Sequence, residues 1–257
     1  DGMPWNLIVF ADAPNLDEIA RNGVKAEYLK TVVPGKTHSF FTGLYPESHG
    51  IVSNRFWDPV YQEEFIYEYD CANFDPKFYN DSEPIWLTLQ RSKVNKARSV
   101  VYFWPGFGRY TKMPAFIANR FEAEVQCCGT KRAAQIKEHY MNVYPPYPDF
   151  FSKDEEFPKR VDRIIGWLKS DDSPRFVGHS YGALSTAYKD SIETFDEDAV
   201  GYLLDQLEKE KFIDEVNLIF VIDHSMVNTS SNRVIFLDNY IEPSTYRLIE
   251  SGPIGHI

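Results

Sequence analysis

Residues 217–222 read Asn-Leu-Ile-Phe-Val-Ile, five consecutive apolar side chains behind one asparagine. Side chains along a strand alternate between two faces, so a run that is apolar at every position must be covered on both. A parallel sheet with helices packed on each side provides that cover, and a sheet with one wet face does not. Ser99-Val100-Val101-Tyr102-Phe103, ending at Trp104-Pro105-Gly106, has the same character, as does Arg233-Val234-Ile235-Phe236-Leu237. Val24 to Leu29 is a further strand candidate, and Asn6 to Phe10 is a short apolar run. Between these runs the apolar period changes to that of a helix. Phe157, Val161, Ile164, Ile165 and Leu168 share one helical face, as do Ile192, Phe195, Ala199, Tyr202, Leu203 and Leu207. Pro14 to Ala20 reads as a helix with acidic residues early and Gly23 past its end, and Thr37–Leu44 and Ile85–Leu89 are shorter helix candidates. Residues 54–84, rich in aromatics and broken by Pro and Asp, read as irregular, and Pro145-Pro146-Tyr147-Pro148 as a loop. The alternation predicts an α/β fold, with a mainly parallel central sheet and helices on both faces, built as a single domain over 1–257.

A chain of 257 residues, 43% hydrophobic and 16% aromatic, has enough apolar surface for one sizeable core. Its formal net charge of -11 repels phosphate backbones and argues against a nucleic-acid duplex as partner. An anionic substrate would need local positive charge from metal ions or a few placed Lys and Arg. Cys71, Cys127 and Cys128 are too few for a disulfide framework and show no zinc-finger spacing. No apolar run approaches the roughly 20 residues that span a bilayer, and no signal peptide is legible. Asn80-Asp81-Ser82 and Asn228-Thr229-Ser230 are glycan acceptor triplets, of use only in a secreted chain.

Three segments carry chemistry. Asp223-His224 follows the apolar run 217–222, at the carboxyl end where open α/β sheets hold their ligands. A carboxylate beside an imidazole suits zinc; an Asp-His turn whose polar atoms bond each other is the competing reading. Gly178-His179-Ser180-Tyr181-Gly182 admits His179 as a metal ligand, Ser180 as a serine-hydrolase nucleophile, or an ordinary turn. Pro34-Gly35-Lys36-Thr37 leads into Thr42-Gly43-Leu44-Tyr45-Pro46-Glu47-Ser48-His49-Gly50. Lys36 and the threonine hydroxyls lie near an expected helix start, where free amides attract phosphate, although the spacing is not that of a P-loop. His49 reads as a structural loop residue.

The stretch from Thr42 through His49 to Asn54 is similar to the segment that follows the nucleophile in nucleotide pyrophosphatases/phosphodiesterases, members of the alkaline-phosphatase superfamily. Other pieces agree in order: Asp1-Gly2, Pro14-Asn15-Leu16-Asp17, Gly23-Val24, Tyr102 to Gly106, Gly178-His179 with Tyr181-Gly182, and Asn217 to His224 with Met226. Residues from about Phe107 to Lys159 match poorly. The resemblance implies an alkaline-phosphatase-like fold and hydrolysis of phosphodiester or pyrophosphate bonds in a small substrate such as a nucleotide. It implies two zinc ions, a threonine nucleophile, and an extracellular or cell-surface setting. Carried over position by position, Asp1, Asp223 and His224 match ligands of one zinc and His179 a ligand of the other, while Lys36 matches the lysine beside the nucleophile.

Departures from the pattern cluster at that site. Gly35 stands where the nucleophilic threonine is expected, leaving Thr37 as the nearest hydroxyl, and a phosphate-contacting Asn segment is missing after Thr37. No aspartate precedes Gly178-His179 at the expected place, Ser225 replaces a glycine, and the strand before Asp1 and the His beyond Ile257 are absent from this sequence. One zinc retains three protein ligands and the other a single imidazole, against the usual three or four. The expectation is one weak zinc site at most and impaired turnover, with an inactive, binding or structural homologue as the alternative and a Ser180 hydrolase behind it.

Overall fold

The structure, a computed structural model, describes residues 9–27, 36–66, 76–94, 97–102, 104, 110, 116–118, 156–181, 189–225, 229–251 and 255–257. At its centre β3 (Ser99–Tyr102) pairs in parallel with β4 (Phe116–Ala118) on one side and β5 (Phe176–His179) on the other. All four residues of β3 are buried, as expected for a strand with neighbours on both edges and cover on both faces. Alternation along β3 sends successive side chains to different layers. Val101 joins an aromatic cluster with Phe41, Trp86, Phe65 and Tyr79, whereas the Tyr102 ring meets Trp167 edge-on at 5.1 Å. The fold is therefore mixed α/β: among the described residues a three-stranded parallel sheet and a separate two-stranded antiparallel one stand where the sequence led to the expectation of a mainly parallel central sheet.

Helices cover both faces. On the aromatic side lie α2 (Lys36–Thr42), α3 (Pro46–His49) and α4 (Ile85–Arg91). On the Trp167 side α5 (Phe157–Leu168) buries Val161, Ile164, Ile165 and Trp167, the face read from its period. It packs on the run α6 (Lys189–Phe195), a π-helical turn (Asp196–Gly201) and α7 (Tyr202–Lys209), through Leu207. Gly50 ends α3 at φ 81° and donates its amide to the Pro46 carbonyl, the left-handed stop that glycine adopts without Cβ strain. His49, fully buried, locks α3 against α2. Its Nδ1 accepts from the Ile51 amide at 3.1 Å, so the neutral ring carries its proton on Nε2, 3.0 Å from the Ser39 hydroxyl. That is the structural role expected for it. His38 stacks on Tyr110 in the same cluster, with the phenol 2.6 Å from its Nε2.

Helix α1 (Pro14–Asn22) starts after Ala13, which offers no side-chain cap. Its orphan amides are satisfied from 180 residues away instead. The buried Asp196 carboxylate accepts from the Asn15 amide at 3.0 Å, the Leu16 amide at 2.7 Å and Asn15 Nδ2 at 2.9 Å. A negative charge at a helix N-terminus also complements the dipole. The approach is close enough that a Cβ on Gly201 would lie 3.0 Å from Asn15 Nδ2.

Several expectations need correction. Residues 217–222 form no strand: the backbone pairs with no other strand among the described residues, Leu218 packs against the α5–α7 cluster, and Ile219 is 83% exposed. Apolarity marks a segment that could be covered on both faces, but a strand also needs a partner for its backbone, and only tertiary context supplies one. Residues 233–237 likewise run between 3-10 turns at Ser231–Arg233 and Leu237–Asn239, with Ile235 74% exposed. Residues 24–26 carry no regular structure, and Val9 and Phe10 are exposed in a turn. The region read as irregular contains an antiparallel hairpin, β1 (Arg55–Asp58) with β2 (Glu63–Ile66), closed by Asp58 Oδ1 accepting from the Val60 and Tyr61 amides. Its inner pair, Phe56 and Phe65, stack at 4.7 Å. The chain's last residues are tied to this hairpin, since Glu250 accepts from Ser53 Oγ and the Arg55 amide and Arg247 reaches Glu64 at 3.1 Å. The three cysteines, Asn228 and Pro145–Pro148 lie outside the described residues.

Asp196→Ala should leave three donors without their acceptor and cost about 3 kcal/mol, read as a lower urea midpoint, with Asp196→Asn recovering part of the loss. His49→Ala should cost about 2–4 kcal/mol in the same measurement, because it opens a cavity and strips two buried polar groups of a partner.

Candidate functional site

β5 delivers His179 to the carboxyl end of the parallel sheet, where β3 ends at Tyr102. The Gly178 position explains how α2 reaches that point. A Cβ there would lie 3.2 Å from Phe41 Cε1, so only glycine lets the Phe41 ring close on the strand. His179 is fixed in two ways. Its Nδ1 donates to the Tyr102 carbonyl at 3.0 Å, and its ring lies between those of Tyr102, at 5.1 Å and 26°, and Phe157, at 5.4 Å and 23°. With the Nδ1 proton engaged by a carbonyl, the neutral imidazole carries its lone pair on Nε2, which is the tautomer that metal-ligating histidines adopt.

Ser180 comes next, and its amide donates to the same Tyr102 carbonyl at 3.3 Å. A strand precedes it, as a serine-hydrolase elbow requires, yet its hydroxyl bonds no described residue. Tyr181 turns back into the interior, against Phe157 at 5.0 Å and Phe195 at 4.7 Å. Burial pushes its phenol pKa up, the Asp198 carboxylate adds to that, and Arg160 works against it. Phe157 thus stacks on the histidine and meets Tyr181 edge-on, which leaves Tyr181 one ring removed from His179. The α5 period marked Phe157 as apolar, but only the fold shows what it covers.

Asp223 and His224 are brought together with each other. The His224 amide donates to Asp223 Oδ1 at 2.9 Å, its Nε2 lies 3.6 Å from Asp223 Oδ2, and its Nδ1 lies 3.2 Å from the Ser225 carbonyl. Of these contacts the backbone amide bond is one that a self-bonded turn would contain, while the two side chains stand at ion-pair distance. Among the described residues no three His, Cys, Asp or Glu side chains converge on a point that could hold a cation. Among the described residues His179 has the tautomer that a metal ligand needs, while Asp223 and His224 form a pair with side chains 3.6 Å apart and no third donor beside them. Asp1 and Gly35 lie outside the described residues. Lys36 and Thr37 are described in backbone only, as the first two residues of α2, which confirms the helix start read there.

The whole chain, residues 1–257, matches the profile of the family described as type I phosphodiesterase / nucleotide pyrophosphatase. It is 32% identical over 271 residues to an uncharacterized pyrophosphatase/phosphodiesterase of Schizosaccharomyces pombe, covering 99% of this chain and 49% of that protein. It is 29% identical over 272 residues to a bis(5'-adenosyl)-triphosphatase of Xenopus laevis, covering 100% of this chain and 52% of that protein. Among solved structures it resembles murine ectonucleotide pyrophosphatase/phosphodiesterase 5, seen as an inactive variant in complex with AMP, with a TM-score of 0.73 and 27% identity over 99% of this chain and 63% of the other. The chain spans about half the length of the curated relatives it matches. On a match that runs from the first residue to the last, the chain belongs to the type I phosphodiesterase / nucleotide pyrophosphatase family.

Proposed function

We propose that this chain is a phosphodiesterase-family domain for small adenosine-containing phosphoesters whose own turnover is impaired. Membership of the family supports the substrate class, as do the AMP bound by the murine relative and the adenosyl triphosphate in the name of the Xenopus one. The observation that carries the impairment is the Asp223–His224 turn. Asp223 Oδ1 accepts from the His224 backbone amide at 2.9 Å, the two side chains lie 3.6 Å apart, and among the described residues no third donor joins them at a shared point. Gly35 at the place of the nucleophile adds a second deficit, because glycine has no hydroxyl to activate. Thr37 sits two positions on, and a displacement of even 1 Å in an attacking group costs about 100-fold in rate. Zinc, if taken up, is held weakly through His179 and whatever second donor reaches it. The setting is extracellular or cell-surface, as the name of the murine ectonucleotide relative supports.

What this chain's residues retain is a scaffold for recognition. His179 is held with its buried Nε2 lone pair fixed in direction, the Tyr102 and Phe157 rings stack on its imidazole, and α2 begins at Lys36. Each of these acts on binding and orientation, and none replaces a missing nucleophile.

The purified chain should carry less than one zinc by emission spectroscopy after dialysis. It should cleave a chromogenic nucleoside monophosphate ester at least about 100-fold more slowly than the murine relative assayed beside it. Gly35→Thr alone should leave that rate unchanged. Stoichiometric zinc with turnover matching the relative would refute the impairment.

A further inference from the structure

Asn80 lies at the first position of Asn80-Asp81-Ser82 and follows a 3-10 turn at Pro76–Tyr79. The turn sorts its residues sharply. Phe78 and Tyr79 are buried in the aromatic cluster, while Asn80 and Asp81 face solvent. The Asn80 amide donates to the Lys77 carbonyl at 3.5 Å, which fixes the backbone, and its side-chain Nδ2 bonds no described residue. A substituent on that nitrogen would extend into water without displacing a native contact. We propose that Asn80 is an N-glycan attachment site. The inference rests on the extracellular setting argued above, because only a chain that enters the secretory route meets the transferring enzyme.

The chemistry is a transfer from an oligosaccharide carried on a lipid diphosphate. The Asn80 carboxamide nitrogen bonds the anomeric carbon, the bond from that carbon to the diphosphate oxygen breaks, and the lipid diphosphate departs while the amide loses one proton. The hydroxyl two residues on, Ser82 Oγ, is the feature the enzyme reads. In the folded chain that oxygen is buried and has no hydrogen-bond partner. Transfer therefore precedes folding of this turn, and folding then hides Ser82 while leaving the modified Asn80 outside. The carbohydrate would stand at the mouth of the α3–α4 junction, where the Asp81 carboxylate approaches to 3.8 Å from the point that a Cβ on Gly50 would occupy.

The full chain, expressed in a eukaryotic host and recovered from the medium, is digested and its Asn80 peptide analysed by mass spectrometry before and after N-glycosidase treatment. The expected result is a glycopeptide that the glycosidase converts to the Asp form. Ser82→Ala should abolish the modification and Ser82→Thr retain it, so loss in the first is not a matter of misfolding alone. An unmodified Asn80 peptide from secreted protein overturns the inference. A chain that is retained inside the cell although a secretion leader has been placed before Asp1 overturns instead the extracellular assignment beneath it, and the compartment tells the two failures apart.

Discussion

The Tyr102 carbonyl, at the end of the buried central strand, is where the architecture and the candidate site meet. It accepts from His179 Nδ1 and from the Ser180 amide, and the ring above it contacts both His179 and Trp167. One backbone oxygen thus sets the register of the edge strand, the tautomer of the candidate ligand and the direction of its lone pair. β3 can serve this way because it is dry on every side, so a hydrogen bond made there competes with no water. The aromatic cluster on one face and α5 on the other exist to keep it so.

Much of this was legible in the sequence where a period was long. The α5 face from Phe157 to Leu168 and the helical run from Ile192 to Leu207 are both present, because a dozen or more residues repeat the same burial rule. The π-helical turn in the second was not, since Asp196 sits in an apolar stripe for a reason found 180 residues away. Short apolar runs misled. Val100-Val101 and Leu218-Ile219 look alike, yet only the first found strands on both edges. The hairpin at Phe56 and Phe65 was hidden by the Pro and Asp that make its turn.

For the site, sequence gave His179 and the Asp223-His224 pair by motif order, and it framed both a metal and a non-metal reading of the pair. Adjacent residues in a turn can always satisfy each other, so an Asp-His dipeptide at a strand end carries chemical meaning only once a third donor is in reach. Family membership and mechanistic competence are distinct properties of a chain, the first read over its whole length and the second at a handful of atoms.

The bond between Ser53 and Glu250 joins positions 197 apart. Closing an unfolded loop of that length costs entropy that two hydrogen bonds cannot supply unaided. The terminal stretch therefore zips onto the hairpin only after the hairpin itself has formed, late in assembly. By the same reasoning this contact opens early on warming, and the backbone amides of residues 247–251 will exchange with solvent before those of β3.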